Sequence, residues 1–366
     1  MRDVPGLPER TGWYFREAKN MYITENEIMS QHEALLRTCS YMLEKKDEII
    51  SFFKAHDAHN FVFLGCGSSY MLAKSGQRLM QQYPGTGAAA VAGGDFLVNP
   101  APYEQLMKNS VLVVLSRSGK TTEVVRDVKL IKERYETPVI SISMLDHNDV
   151  MPFSDLDLTL DWCYDRSVCQ TRTVTNLYTA LLLLAAFYGG DEELCADTLR
   201  AAQQNEAYKL KYRPELAKIA QKDWEDALVL ADGPVEGIAE EGALAFTEIA
   251  MLPGKYFHML DFRHGPMVLL SKKTLTVVLV QPEGRDLQRT MVEELKEKGG
   301  VIVTISEEEG DPYGADLHIT LPDPGRYETW GIYFIFALQM GAYEKAMVRG
   351  TNPDAPTGLD AYITLK

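Results

Sequence analysis

The sequence has few cysteines, and they are not spaced for a disulfide framework or a zinc site. Five are scattered over 366 residues, with no CxxC pair and no cysteine–histidine spacing typical of zinc ligands. An odd number of dispersed cysteines favours reduced thiols, as in the cytoplasm. A cysteine-bound metal and a disulfide-stabilised fold are therefore not expected.

Clusters of positive charge and long hydrophobic runs are also missing. The formal net charge is −15 and no run of lysines and arginines stands out. This argues against a nucleic-acid partner, because a phosphate backbone requires a basic surface. No apolar run reaches the length of a membrane span, and the polar N-terminal residues lack the apolar core of a secretion signal. We expect a soluble, cytoplasmic protein that does not bind membranes.

Strand and helix patterns alternate along the chain, after two predicted helices within residues 24–56. Strands are predicted near residues 61–65, 111–115, 138–143 and 156–160, and helices at about 69–83, 121–134 and 173–188. Continuous apolar strands separated by helices are typical of a parallel sheet covered on both faces. The predicted fold class is therefore α/β, doubly wound.

The same order of strands recurs in the second half of the sequence. Residues 228–233 echo residues 62–67, and three later strands echo their counterparts at offsets that drift from 164 to 161. Four echoes in one order indicate a duplicated domain. We predict an N-terminal helical segment at 1–56, a first domain at 57–195 and a second at 196–366. The boundary falls in a polar helical stretch near 195–222.

The stretch Ser-Arg-Ser-Gly-Lys-Thr-Thr, at residues 116–122, joins a predicted strand to a predicted helix. Hydroxyls, backbone amides and two cations converge there on a helix N-terminus, which suits a phosphate dianion. The counterpart in the second half, residues 281–286, has no hydroxyl, gains carboxylates and contains a proline. A phosphate is therefore predicted in the first half alone.

The second half carries candidate proton-transfer residues instead. Glu241 and Glu248 are two helical turns apart, so they share a helix face, and His264 follows in an Arg-His-Gly-Pro turn. Paired carboxylates with a histidine suit general acid–base chemistry. Read singly, Ser118 or Thr121 can be a helix N-cap, Glu248 a solvated helix acid and His264 a turn residue.

Five motifs together resemble the tandem sugar-isomerase (SIS) family. They are Gly-Cys-Gly-Ser-Ser-Tyr (65–70), Ser-Arg-Ser-Gly-Lys-Thr (116–121), Glu-Gly-Ala-Leu-Ala-Phe-Thr-Glu (241–248), Arg-His-Gly-Pro (263–266) and Asn-Pro-Asp-Ala-Pro-Thr-Gly-Leu (352–359). The family includes the isomerase half of glucosamine-6-phosphate synthase, amino-sugar-phosphate deaminase/isomerases and fructosamine-6-phosphate deglycases. The resemblance implies two tandem SIS domains, each a mainly parallel, Rossmann-like sheet flanked by helices.

The resemblance also implies roles for individual residues, with a 6-phosphosugar as substrate and no metal or cofactor. Glu248 falls on the acid that moves a proton between C1 and C2, and Glu241 on a supporting acid. His264 falls on the residue that assists ring opening, and in relatives it reaches a neighbouring subunit's site, which implies a homodimer. The positions implied to hold the phosphate are Ser69, Ser116, Arg117, Ser118 and Thr121. Further substrate-binding positions are Gly67, Ser68, Lys120, Thr122, Val168, Gln170 and Thr171.

Two departures from the family pattern separate its branches. The lysine that forms a Schiff base in glucosamine-6-phosphate synthase corresponds to Ala361, and the helix lysine between the two acids corresponds to Ala245; Lys366 is the nearby alternative. A fructosamine 6-phosphate already carries its amine, so it needs no protein lysine. The resemblance therefore favours a deglycase, with a deaminase or ketose–aldose isomerase as the alternative. A phosphosugar sensor without catalytic activity is the alternative from another class.

Overall fold

The computed structural model describes residues 22–361 and 363–365 of the chain. The polar N-terminal residues, the first part of the predicted segment 1–56 and Lys366 lie outside the described residues. Within the described residues, the order of elements follows the predicted α/β alternation. No helix there is long and apolar enough to cross a membrane.

The first half contains two leading helices and then a five-stranded sheet with its connecting helices. The elements are α1 (Ile23–Glu44), α2 (Lys46–Ala55), β1 (Asn60–Gly65), α3 (Ser68–Met80), β2 (Gly87–Ala92), α4 (Gly93–Val98), α5 (Glu104–Lys108), β3 (Val111–Ser116), α6 (Thr122–Tyr135), β4 (Val139–Ser143), β5 (Leu156–Thr159) and α7 (Arg172–Gly189).

The second half repeats this arrangement after a long connecting helix. Its elements are α8 (Glu192–Ala220), β6 (Asp226–Leu230), α9 (Glu236–Glu248), β7 (Gly254–Phe257), β8 (Thr274–Leu279), α10 (Arg285–Lys298), β9 (Val301–Ser306), β10 (Leu317–Thr320) and α11 (Trp330–Arg349). The stretch 195–222, where the sequence predicted the domain boundary, lies largely within α8.

Both sheets have the same strand order, which confirms the predicted duplication. The first runs β2-β1-β3-β4-β5 and the second β7-β6-β8-β9-β10, and every pairing is parallel. The inner strands β3, β8 and β9 are buried along their whole length, as expected of strands covered on both faces. In both sheets the carboxyl ends of the strands point the same way, which is where α/β proteins bind ligands.

The two halves share a continuous apolar core. One buried cluster includes Phe63 and Leu182 from the first half and Phe246 and Phe336 from the second. The helices α8 and α11, α1 and α7, and α3 and α9 pack against one another. The last of these pairs joins the two halves, because α3 belongs to the first half and α9 to the second.

The contact between α3 and α9 depends on Gly237. A Cβ at this position would lie 1.9 Å from the carbonyl oxygen of Met71, so a residue with a side chain cannot fit without moving one helix. Ser75 Oγ accepts a hydrogen bond from the Ile238 N–H at 3.1 Å, in a buried position. Ion pairs from Lys74 to Glu240 and from Arg78 to Glu236 flank the contact. The helix that carries Glu241 and Glu248 is thereby held close to α3.

Candidate active site

The loop between β3 and α6 forms a compact turn at the carboxyl end of the first sheet. Ser116 Oγ accepts a hydrogen bond from the Gly119 N–H at 2.9 Å, and Ser118 Oγ accepts one from the Lys120 N–H at 3.1 Å. Gly119 has a φ of 60°, and Asn148 fills the space where a side chain would lie. Both serine oxygens accept from the backbone, so each hydroxyl keeps its hydrogen for another acceptor.

These hydroxyls line a polar pocket of about 290 Å³ beside the N-terminus of α6. All five residues that were predicted to hold the phosphate lie around it. The lining consists of Cys66, Ser69, Leu115, Ser116, Arg117, Ser118, Thr121, Val124, Gln170 and Ala361. Donor hydroxyls next to the positive end of a helix dipole suit an anion. The structure brings these five residues together at one pocket, and their role in binding phosphate stays a prediction.

Arg117 is buried, and its guanidinium is held by backbone carbonyls. Nη1 donates to the carbonyl oxygens of Ser167 and Val168, both at 3.1 Å, and Nη2 donates to that of Ala361. The first two acceptors belong to the loop of residues 164–171, and the third to the C-terminal tail, of which residues 351–361 and 363–365 are described. The arginine therefore joins three separate segments of the chain.

The loop between β3 and α6, residues 116–122, is called the phosphate loop below, after its predicted role. The other predicted positions in and around it differ in their surroundings. Lys120 and Gly67 are exposed, and the Ser68 hydroxyl is buried beside Glu241. Thr122 contacts the C-terminal tail: its N–H donates to Ile363 O at 3.4 Å, and its Oγ1 accepts from the Leu365 N–H at 3.1 Å. None of these four residues is among those that line the pocket.

The loop of residues 164–171 brings its predicted substrate-binding residues toward the pocket. Gln170 lines the pocket directly. Gln170 Oε1 and Thr171 Oγ1 are both buried without a hydrogen-bond partner among the described residues, so each can bind a ligand or water. Val168 instead uses its backbone, since its N–H donates to Asp354 O at 3.0 Å and its carbonyl accepts from Arg117.

Two buried acidic residues accept hydrogen bonds from this loop and stabilise it. The sequence analysis did not identify either of them. Asp165 accepts hydrogen bonds from the N–H groups of Thr171 and Thr173, at 2.8 and 2.9 Å. Glu27, on α1, accepts from the N–H of Arg166 and from the Ser167 hydroxyl. Burial raises the pKa of both carboxyls. No motif marks either residue, and α1 is far from the loop in sequence.

Glu241 and Glu248 lie on α9, as predicted, and share one environment. Glu241 is buried, and burial together with the charge of Glu248 raises its pKa well above the usual range. Burial also raises the pKa of Glu248, to about 7, while Arg117 and the Cys169 thiol act in the opposite direction. Glu248 is therefore a carboxyl that is partly ionised near neutral pH, beside a residue of the phosphate loop.

His264 is exposed and is not among the residues that line the pocket of its own chain. It ends a short helical turn at Asp261–Arg263, where its N–H donates to Asp261 O at 2.9 Å. Gly265 follows with a φ of 121°, a conformation that glycine adopts readily. The structure thus does not bring His264 together with Glu248 within the described part of one chain.

The corresponding loop of the second half is filled by its own side chains. Gln288 donates to the carbonyl oxygens of Gln281 and Glu283. Arg285 pairs with Glu307 and Glu308, and Arg289 also pairs with Glu308. These ion pairs neutralise Arg285 and Arg289, and residues 281–286 themselves contain no serine or threonine.

Cys66 is a further pocket residue that sequence analysis did not single out, although it lies within the Gly-Cys-Gly motif. Burial raises the pKa of its thiol to about 11, so the thiol is neutral at physiological pH and suits packing more than nucleophilic attack. Among the described residues, no group of three or more histidine, cysteine or acidic side chains is arranged to bind a metal ion.

Two parallel sheets in tandem, with a hydroxyl-lined pocket on one and a buried carboxylate supplied by the other half, define a duplicated α/β protein with a composite site. The model of the SIS domain matches residues 54–187 and 221–349, and the chain belongs to the SIS family.

Glutamine–fructose-6-phosphate aminotransferase (isomerizing) of Shewanella oneidensis is 25% identical over 361 residues, covering 93% of this chain and 58% of that protein. The chain therefore spans less than two thirds of that relative.

Solved structures share the fold at low sequence identity. Tagatose-6-phosphate ketose/aldose isomerase from Escherichia coli superposes with a TM-score of 0.81 and 21% identity, covering 94% of this chain and 96% of that one. Glucosamine-6-phosphate deaminase from Thermotoga maritima superposes with a TM-score of 0.74 and 22% identity, covering 90% and 99%. These two likenesses show that the tandem arrangement extends over nearly the whole chain.

Proposed function

We propose that this protein is an enzyme of the phosphosugar isomerase type, which moves a proton between C1 and C2 of an open-chain 6-phosphosugar or amino-sugar derivative. The observation that carries the proposal is the position of Glu248. It is a half-buried carboxyl with a pKa of about 7, in electrostatic contact with Arg117, which lines the hydroxyl-lined pocket. Such a carboxyl can exist as a base at neutral pH and can return its proton in the same cycle.

In this proposal the pocket at Ser116, Ser118 and Thr121 binds the phosphate, at the end of the sugar remote from the chemistry. Binding energy from a remote dianion can hold the reacting carbons against the carboxylate, which a neutral sugar could not achieve. Gln170, which lines the pocket, and its neighbour Thr171 have buried oxygens without hydrogen-bond partners among the described residues, and sugar hydroxyls could bind to them. Burial and the charge of Glu248 raise the pKa of Glu241, which favours its neutral form, and a neutral carboxyl would support Glu248 without adding a second negative charge.

Among reactions of this type we propose the deglycation of a fructosamine 6-phosphate. Glu248 would take a proton from C1 of the open-chain ketosamine while the C2 oxygen gains a proton, giving an enaminol. A proton would then be delivered to C2 while the nitrogen loses its own proton, so that the C1–N bond becomes the imine double bond. The product is an aldose imine, which water hydrolyses to an aldose 6-phosphate and the free amine. Ala361 supports this choice, because alanine has no amine with which to form a Schiff base at the position that corresponds to the lysine of glucosamine-6-phosphate synthase.

The experiment is to incubate the protein separately with a fructosamine 6-phosphate, glucosamine 6-phosphate and fructose 6-phosphate, and to measure aldose phosphate and free amine. We expect turnover of the first substrate only. Because a carboxylate base requires no metal, a chelator should leave the rate unchanged. Turnover of glucosamine 6-phosphate instead would establish the deaminase alternative. Tight binding without turnover of any substrate would establish a sensor.

We also propose that the active form is a homodimer in which His264 completes the partner's site. The support is the exposure of His264 on a turn that continues into exposed apolar residues, Val268 at 87% and Leu269 at 39%. Mixing inactive Glu248→Gln and His264→Asn variants tests this. Subunit exchange should restore roughly a quarter of the sites, since each mixed dimer regains one intact site. No recovery from subunits that demonstrably exchange would contradict a shared site.

A further inference from the structure

Arg117 is an unusual residue in the pocket, because its hydrogen bonds are already directed elsewhere. One nitrogen of the guanidinium donates to two carbonyls of the loop 164–171, and the other donates to the carbonyl of Ala361 in the C-terminal tail. The side chain is 4% exposed. These contacts use three of the five N–H donors of the guanidinium, including both on Nη1, so a phosphate that bound to Nη1 would have to displace the carbonyls of the loop.

The two segments that Arg117 joins carry other parts of the site. The loop contributes Gln170 to the pocket and places Cys169 beside Glu248. The tail meets the same loop independently, through the Val168 N–H and Asp354 O, and it also meets Thr122 at the start of α6. Hydrogen bonds from a charged guanidinium to buried carbonyls are stronger than neutral ones, so Arg117 is well suited to hold these segments together.

We propose that Arg117 is a positioning residue, which fastens the loop 164–171 and the C-terminal tail to the phosphate loop, and not a direct ligand of the phosphate. The phosphate is then bound by the hydroxyls of Ser116, Ser118 and Thr121 and by the backbone. The structural role of Arg117 does not depend on which reaction the protein catalyses. Its expected effect on turnover rests on the proposed function.

The guanidinium has a second consequence for the base. Glu248 interacts with Arg117 from the phosphate loop, with Cys169 from the loop 164–171, and with Glu241 on its own helix. Arg117 is the cation in this set, and it favours the ionised form of Glu248. Removing the cation should therefore move the acid limb of the pH–rate profile to higher pH, an effect that loss of a phosphate ligand alone would not produce.

The test compares Arg117→Gln and Arg117→Lys with Arg126→Gln, which removes an exposed cation from α6 as the matched control. Hydrogen exchange is measured by mass spectrometry on peptides that contain Val168, Thr122 and Leu365. In Arg117→Gln we expect protection of these amides to fall roughly tenfold to a hundredfold, the effect of losing hydrogen bonds to a charged group. Arg117→Lys should show a smaller loss, and the control none.

Kinetics separate positioning from phosphate binding. Arg117→Gln should lower kcat and shift the acid limb upward, with a smaller rise in KM than the Ser116→Ala, Ser118→Ala double variant shows. Unchanged exchange, together with a rise in KM equal to that of the double variant, would overturn the proposal. If Arg117→Gln does not fold, the same criteria apply to Arg117→Lys. Lack of turnover by the wild-type protein would contradict the proposed function, while the exchange measurements would still decide the role of Arg117.

Discussion

Glu248 and Arg117 come from different halves of a duplicated chain, yet the guanidinium of one stabilises the ionised carboxylate of the other. The close contact of α3 with α9 at Gly237 holds the helix that carries Glu248 against the first half of the chain. Each half therefore contributes a different part of one site: hydroxyls and a cation from the first, and carboxyls from the second.

The first prediction concerns Glu248→Gln, which removes the base while keeping its shape. We expect kcat to fall by roughly a hundredfold to ten-thousandfold, with substrate affinity within about a few-fold of wild type. Steady-state kinetics combined with binding calorimetry on the inactive variant measures both quantities. The control is Thr247→Ala, which changes the exposed residue next to Glu248 on α9 and should remain active.

The same substitution has a predicted effect on stability. The pKa of Glu248 is raised from 4.5 to about 7 in the folded protein, so the folded state binds a proton more tightly than the unfolded state. Glu248 therefore does not lower the free energy of unfolding at a pH below the unfolded pKa of 4.5. It lowers this free energy progressively as the pH rises to about 7, and by its full amount above that. Glu248→Gln should therefore raise the melting temperature at about pH 8 and change it little at about pH 4, if calorimetry is possible at both values. An equal shift at both values would contradict the raised pKa.

The second prediction concerns the phosphate pocket. Ser116→Ala combined with Ser118→Ala removes two hydroxyl donors and should raise KM for a phosphorylated substrate by roughly tenfold to a thousandfold. Binding of the matching unphosphorylated analogue should barely change. Competition by inorganic phosphate gives an independent measurement, since it reports the same pocket without the sugar. Equal weakening of both ligands would mean that the two serines support the turn and do not bind phosphate.

Much of this fold could be predicted because its inner strands are continuous apolar runs, for example Val111–Ser116 and Val301–Ser306. The edge strands Gly87–Ala92 and Gly254–Phe257 were not predicted. The first of them, Gly-Ala-Ala-Ala-Val-Ala, has little intrinsic preference for a strand, and it forms because an edge position beside β1 is available. Tertiary context therefore decided the structure where local pattern was weak.

The site was predictable to the extent that its residues occur in motifs. Ser116, Ser118 and Glu248 lie in recognisable local sequences; the structure places the two serines on one pocket and Glu248 within reach of the charge of Arg117, and their roles stay predictions. The support of the loop 164–171 was not predictable, since Glu27 and Asp354 reach it from opposite ends of the chain. Contacts between such distant residues leave no periodicity or spacing that a single sequence can reveal.

The third prediction concerns Asp354, which joins the C-terminal tail to the start of α1. Its carboxylate accepts hydrogen bonds from the Ile23 N–H at 3.0 Å and from the Thr24 N–H at 2.8 Å, across 330 residues in the latter case. This is helix N-capping by a distant residue. Asp354→Ala should lower the free energy of unfolding by about 1 kcal/mol, as the loss of other N-caps does.

Asp354→Asn is the matched control, because an amide oxygen can still accept one of the two hydrogen bonds. It should lose less stability than Asp354→Ala in urea unfolding followed by circular dichroism. Both variants should also loosen the tail in hydrogen exchange, since the Asp354 carbonyl accepts from Val168. Wild-type stability in Asp354→Ala would show that water replaces the cap without cost.

The fourth prediction concerns Lys209, a fully buried lysine on α8. Its Nζ donates to Met29 O at 2.8 Å and contacts His32 Nδ1 at 3.0 Å. Burial lowers its pKa to about 7, against the partial opposing effect of Glu206 and Glu33. In the unfolded chain this lysine keeps its proton up to a pH of about 10.5. The buried charge therefore lowers the free energy of unfolding most at pH values below about 7, and this free energy rises as the pH increases from about 7 to about 10.5.

Lys209→Met keeps the length of the side chain and removes the ionisable group. The difference in unfolding free energy between Lys209→Met and wild type should favour the variant most at about pH 6, and this advantage should shrink as the pH rises toward about 9.5. Lys211→Met, two residues further along the same helix at an exposed position, is the control and should show no such trend. A difference that is constant with pH would mean that Lys209 is charged to the same extent in the folded and unfolded chains.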